Sequence, residues 1–255
     1  MSFQLQMENS AKKVGSNIVL ALDFQLDEPR RLLSRSTEML EMVQPYVCAL
    51  KINRQLVLPL GLFDGVQKIL NVAKDHGLPV IMDCKINDVG YTNRSIAECY
   101  YKAGFDALTA NPFVGWEGGL QPVFEVAQQM QRGVILLVYM SHKGAEEGYG
   151  QTIRDPKTRR LTSQYVAFAE RTVSWKADGA VVGATYPDKI REVHAILEDR
   201  VPIYSPGVGV QGGGIESAIT TGALYLIVGR AITLSENPAE NAKKIRDIAQ
   251  QCLKV

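Results

Sequence analysis

The densest chemistry in the chain is the hexapeptide Asp83-Cys84-Lys85-Ile86-Asn87-Asp88. On an extended strand, side chains two apart share a side, so Asp83 and Lys85 project together. Lys51, in Ala49-Leu50-Lys51-Ile52, ends the preceding apolar run, and Asp88 lies just past the strand end, within reach of its rim. Two lysines and two aspartates sum to zero. If they meet in a poorly hydrated space, each needs an opposite neighbour, because a lone buried charge is very costly. That alternation keeps the lysines protonated and the carboxylates ionised. Lysines so held are charged rather than nucleophilic, which argues against Schiff-base chemistry at Lys85 or Lys51. The plainer reading of one Asp-Lys pair is a structural ion pair; four charges at adjacent strand ends point to function.

The second constellation is Ser205-Pro206-Gly207-Val208-Gly209-Val210-Gln211-Gly212-Gly213-Gly214. Gly207, Gly209 and Gly212 fit the dinucleotide pattern GxGxxG. They follow the seventh apolar run rather than opening the chain, however, and no Asp or Glu ends the next run to hold a ribose hydroxyl, so that reading fails. The glycines instead free backbone N–H groups for an anion, as Gly229-Arg230 does after the eighth run. Arg230 adds a bidentate cation for phosphate. The bland alternative is a tight glycine turn beside an exposed arginine. Together these pieces imply a small phosphorylated substrate whose reacting end lies over the charged array. Ser141 and Gln211 would bond its neutral polar groups, and Asp23 and Lys51 its hydroxyls.

Positioning these residues requires a frame. Eight short apolar runs recur with room for a helix after each: Ile18–Asp23, Val47–Ile52, Pro79–Cys84, Asp106–Asn111, Val134–Met140, Gly179–Gly183, Val201–Ser205 and Ala223–Gly229. Each is short enough for a strand buried on both faces. Asp27-Glu28-Pro29 and Asn237-Pro238 open helices, and Gly77, Gly104, Gly179 and Gly222 sit where helices should end. Eight strand–helix units predict a single-domain (β/α)8 TIM barrel over residues 18–255. Asp23, Lys51, Asp83, Asn111, Ser141, Pro206 and Gly229 then stand at the C-terminal ends of the runs, around one mouth. Residues 1–17 read as a partly ordered extension. The polar segment Ser141–Arg160, with its tract IRDPKTRR, reads as a solvated loop or as a flap over the mouth.

The 255 residues carry 28 Lys plus Arg against 27 Asp plus Glu, so the basic excess of a nucleic-acid binder is missing. No apolar run approaches membrane length, the opening has no apolar signal core, and a cytoplasmic location is expected. Cys48, Cys84, Cys99 and Cys252 form no CxxC pair and are expected to be buried free thiols. His76, His142 and His194 lie far apart with no metal-ligand spacing.

With those residues in view, the sequence resembles the orotidine 5′-monophosphate decarboxylases. The matching stretches are Leu20–Asp23 (LALD), Leu50–Ile52 (LKI), Asp83–Asn93 (DCKINDVGYTN), Met140–Ala145 (MSHKGA), Ser205–Gly213 (SPGVGVQGG) and Val228–Ile232 (VGRAI), in order after residue 17. DxKxxD is shared with 3-keto-gulonate-phosphate decarboxylases and hexulose-phosphate synthases; SPGVGVQGG with MSH and GR is more specific. The resemblance implies loss of CO2 from orotidine monophosphate to give uridine monophosphate, as a step of pyrimidine biosynthesis, with no cofactor and no metal. It implies that Asp83 faces the scissile carboxylate and that Lys85 stabilises charge at C6 and protonates it. It places Lys51 and Asp23 on ribose hydroxyls, Ser141 on the pyrimidine, Gln211 between pyrimidine and phosphate, and Gly229 and Arg230 on phosphate, with Pro206 also against the substrate. It implies a homodimer in which Asp88 completes the partner's array and Thr92 reaches the partner's ribose. The basic segment Gln151–Arg160 looks longer than in the shorter members. The rivals are a metal-dependent sugar-phosphate decarboxylase or aldolase and a non-catalytic nucleotide-binding barrel.

Overall fold

The structure, a computed structural model, describes residues 1–156, 158–209 and 213–253. Eight parallel strands close into a barrel: β1 (Ile18–Ala21), β2 (Ala49–Asn53), β3 (Val80–Ile86), β4 (Ala107–Ala110), β5 (Gly133–Tyr139), β8 (Gly179–Val182), β9 (Ile203–Pro206) and β10 (Ala223–Val228), with β10 returning to pair with β1. Each predicted run contributes one strand, and helices cover the outside. The predicted barrel is thus the observed one. Continuous apolar character is needed because each strand is buried twice. Val19, Ala49, Ile81, Ala107, Ile135, Val181, Tyr204 and Ile227 fill the barrel's interior, while alternate neighbours such as Leu20, Leu50, Met82 and Leu136 pack under the helices.

Residues 1–17 differ from the expected partly ordered extension. Phe3–Val14 form a helix, α1, whose start is capped by the Ser2 hydroxyl and whose end is Gly15 at φ 60°. Phe3 and Met7 join the interior cluster, and Ser10 Oγ donates to the Cys48 carbonyl at 2.6 Å. The helix therefore plugs the N-terminal end of the barrel. A Cβ at Gly133 would lie 2.5 Å from the Phe3 ring, so glycine there makes room for the plug.

Other local expectations need correction. Gly77, Gly104 and Gly222 do adopt positive φ after helices, but Gly179 does not. The preceding helix ends at Ser174 and the chain leaves it through Lys176 in the left-handed region (φ 57°), and Gly179 begins β8, where the Tyr204 ring lies 2.5 Å from the position of a Cβ. The segment after β5 is more than loop: it holds a short helix, Ala145–Tyr149, and a two-stranded hairpin of β6 (Thr152–Arg154) and β7 (Leu161–Ser163). Cys48 and Cys84 are buried free thiols, whereas Cys99 is exposed and Cys252 half-buried. One stretch qualifies the expectation about membrane length. Arg54–Asp75 is helical, 22 residues long and, over an 18-residue window, apolar enough to cross a membrane by length and composition alone, yet it is interrupted at Gly61–Gly65 and packs partly into the outer core.

Candidate active site

The C-terminal ends of the strands converge on a cavity of about 780 Å³, a size that suits a nucleotide. Its floor is an ion-paired chain. Lys51, from β2, donates to Asp83 Oδ2 at 2.8 Å and lies 3.4 Å from Asp23 Oδ1. Lys85 Nζ donates to Asp83 Oδ1 at 2.7 Å. Asn53 Nδ2 holds Asp23 Oδ1 at 2.7 Å. The quartet that meets inside one chain is therefore Asp23–Lys51–Asp83–Lys85.

The electrostatics follow from these contacts. Lys51 is buried, which by itself would lower its pKa; the Asp83 and Asp23 carboxylates outweigh that and hold it above the ordinary lysine value. Burial would raise Asp83, but the two ammoniums of Lys51 and Lys85 hold its carboxyl well below the usual range. Both charges are thus fixed across the working pH range, one oxygen of Asp83 per lysine.

The backbone beneath this chain is irregular. Lys85 has φ 48°, a left-handed conformation that costs a non-glycine residue about 1–3 kcal/mol. The β3–β4 register runs Met82↔Leu108 and then Ile86↔Ala110, so Asp83, Cys84 and Lys85 bulge opposite Thr109 alone. Asp83 and Lys85 do share the mouth, as simple alternation predicts, but through a bulge rather than a regular strand.

Ser141, Pro206, Gly207, Gly229 and Arg230 complete the cavity lining, with Gly229 next to Asp23 because β10 pairs with β1. Gly207 takes φ 94°, which suits glycine alone, and Gly183 packs so close to Ser141 that a Cβ would lie 2.6 Å from its Cα. Thr185 Oγ1 donates to the Ser141 carbonyl and Tyr186 Oη to that of His142, both at 3.0 Å. These contacts fix the point where the chain leaves β5 for the hairpin.

A sequence model of the orotidine 5′-phosphate decarboxylase / HUMPS family matches residues 16–245. The chain belongs to this family. It is similar to the orotidine 5′-phosphate decarboxylase of Methanosarcina mazei, with 35% identity over 91% of this chain and 94% of the relative. Among solved structures it resembles the orotidine 5′-monophosphate decarboxylase of Methanocaldococcus jannaschii complexed with the inhibitor BMP (33% identity, TM-score 0.76, 92% of this chain and 98% of that one). It also resembles the enzyme of Pyrococcus horikoshii (31% identity, TM-score 0.73, 91% and 99%).

Within this family member, Asp23, Lys51, Asp83, Lys85, Ser141, Pro206, Gly229 and Arg230 all line one cavity. Asp88 and Thr92 do not line it. Asp88 is exposed on the rim and its Oδ1 accepts from the Val89 N–H at 2.7 Å; Thr92 lies half-buried in the first turn of the helix Gly90–Ala103. Within the single chain Asp88 does not join the array, contrary to the expectation from sequence: it lies two residues past the end of β3 with its carboxylate on the Val89 N–H, and Asp23, following β1 beside β2, pairs with Lys51 instead. Gln211 lies outside the described residues. Sequence reasoning missed Thr109 and Asn53. Both sit at strand ends beside recognised residues, and their polarity among apolar neighbours was the available signal. Among the described residues no cluster of three or more His, Cys, Asp or Glu side chains is placed to hold a metal.

Proposed function

We propose that this chain decarboxylates orotidine 5′-monophosphate to uridine 5′-monophosphate and CO2, a step of pyrimidine biosynthesis, without a metal or organic cofactor. The observation that carries the reading is Lys85 Nζ held 2.7 Å from Asp83 at the floor of a cavity that Gly229 and Arg230 also line. Arg230 and the backbone at Gly229 take the phosphate, Asp23 and Lys51 take ribose hydroxyls, and Ser141 takes the pyrimidine. Asp83 then faces the carboxylate at C6. The C6–carboxyl bond breaks, its electron pair stays on C6, and CO2 leaves. Lys85 transfers a proton to C6 and is reprotonated from solvent. A localised carbanion gains more from a preorganised ammonium than the neutral ring does, so the transition state is favoured over the ground state. Phosphate contacts remote from C6 supply binding energy for orientation.

The proposal extends to a homodimer in the cytoplasm. Leu58 and Phe63 after β2, Val89 and Tyr91 after β3 and Phe113 after β4 are exposed, and Val89 and Tyr91 adjoin Asp88 and Thr92 in the chain. An apolar patch of this kind suits a second copy of the chain, which would bring Asp88 and Thr92 to the partner's site. Four unpaired cysteines fit a reducing compartment.

The test mixes purified protein with orotidine monophosphate in excess EDTA. Equimolar uridine monophosphate and CO2 are expected; no absorbance change would leave a non-catalytic barrel, and EDTA sensitivity would favour a metal-dependent relative. A fully active monomer in ultracentrifugation would remove Asp88 and Thr92 from the partner's site.

A further inference from the structure

Thr109 is 2% exposed, lies on β4 and lines the cavity beside the charged chain. It is the one residue facing the bulge of Asp83, Cys84 and Lys85, and it bonds to all three. Its Oγ1 accepts from the Lys85 backbone N–H at 3.0 Å and lies 2.9 Å from Asp83 Oδ1, and its carbonyl lies 3.5 Å from Cys84 Sγ. The direction of the hydroxyl is settled by its partners. A backbone N–H can only donate and an ionised carboxylate can only accept, so the single hydroxyl proton points to Asp83. Asp83 Oδ1 then receives two donors, the Thr109 hydroxyl and the Lys85 ammonium.

We infer that Thr109 is a positioning residue for the decarboxylation: its hydroxyl fixes the Asp83 carboxylate at one end and the left-handed backbone of Lys85 at the other, and so aims the ammonium at C6. The inference rests on the function proposed above. Thr109 bridges the charge donor and its counter-ion with one atom, so removing that atom disturbs both. The phosphate contacts at Gly229 and Arg230 lie elsewhere in the cavity, and Lys51 keeps its own bonds to Asp83 Oδ2 and Asp23.

The variant Thr109→Val keeps the shape and removes both hydroxyl bonds. Its kcat is expected to fall about 10- to 100-fold, the effect of losing a hydrogen bond to a charged group. Its dissociation constant for uridine monophosphate should shift less than about threefold, because the remote contacts survive. Thr109→Ser, which restores the hydroxyl, should return kcat to within about threefold of wild type. A valine variant with wild-type kcat, or a serine variant as impaired as valine, would overturn the role. If the valine variant does not fold, Thr109→Ala and Thr109→Ser carry the test, and equal kcat in the two overturns it. Wild-type protein in the same assay separates the failures: inert wild type refutes the proposed function, while active wild type beside an unaffected valine variant refutes only the part assigned to Thr109.

Discussion

At the N-terminal end of the barrel, Asp178 accepts from the Val134 backbone N–H at 2.9 Å, and burial pushes its carboxyl up to about 6. Asp106 does the same for Val80 and pairs with Arg132, and burial still leaves it raised. At the mouth, Asp83 is also buried, yet it lies well below the ordinary range, because an ammonium meets each of its oxygens. The difference is one of partners, not depth. Carboxylates at the plugged end accept from a backbone N–H at the start of the neighbouring strand, β3 for Asp106 and β5 for Asp178, and serve stability. The carboxylate at the mouth holds two lysines charged and aimed. The same contrast runs through the packing: Phe3 and Met7 fill one end with apolar side chains, whereas the other end keeps an open cavity.

The contrast breaks most sharply at Lys85. Lys85→Ala should lower kcat by about 10⁴-fold or more, since it removes both the electrostatic partner and the proton donor. Appreciable affinity for uridine monophosphate should remain; near-normal turnover would return the array to a structural role. At the opposite end, Phe3→Ala should destabilise the fold by about 3–5 kcal/mol in denaturant titrations while kcat per folded molecule stays unchanged. A chemical defect in that variant would show that the two ends are not separate. Arg230→Ala should raise KM about 10- to 100-fold with a smaller change in kcat, because it acts on the remote phosphate. Unchanged substrate affinity would displace the phosphate site.

The finest distinction is in pH dependence. Folding raises Asp178 from an unfolded value of about 4 to about 6, so the folded state holds the proton more tightly. Its stabilising contribution is complete below the unfolded value and is lost as pH rises through the folded one. Asp178→Asn should therefore gain stability relative to wild type by about 1–2 kcal/mol between pH 4 and pH 7. A flat difference in unfolding free energy across that window would show that the two ends do not differ in this way.

Much of the frame was legible in the chain. Eight apolar runs, each short and uniformly apolar, led to eight strands because burial on both faces leaves no alternation to read. The cavity wall was legible where residue type is unusual, as with Arg230 after a glycine or Lys51 after apolar residues. The plug formed by α1 was not. FQLQMENSAKKV carries too few apolar residues to mark a core element, and its Phe3 and Met7 matter only because a barrel end lies beneath them. The hairpin after β5 was hidden in the same way, its strands being three residues each.

What the sequence determined by itself is local: the count of strand–helix units, the charges at their ends, and the glycines that leave room for an anion. Those are written in residue type and spacing, and each acts over a few positions of chain. Only the tertiary structure decided that Asp23 rather than Asp88 joins Lys51 within one chain, and that Thr109 alone answers three bulged residues of β3. Such choices depend on which strands become neighbours and on a shift of register between them. They are set by packing among segments far apart in the chain, where no short pattern of residues records the outcome.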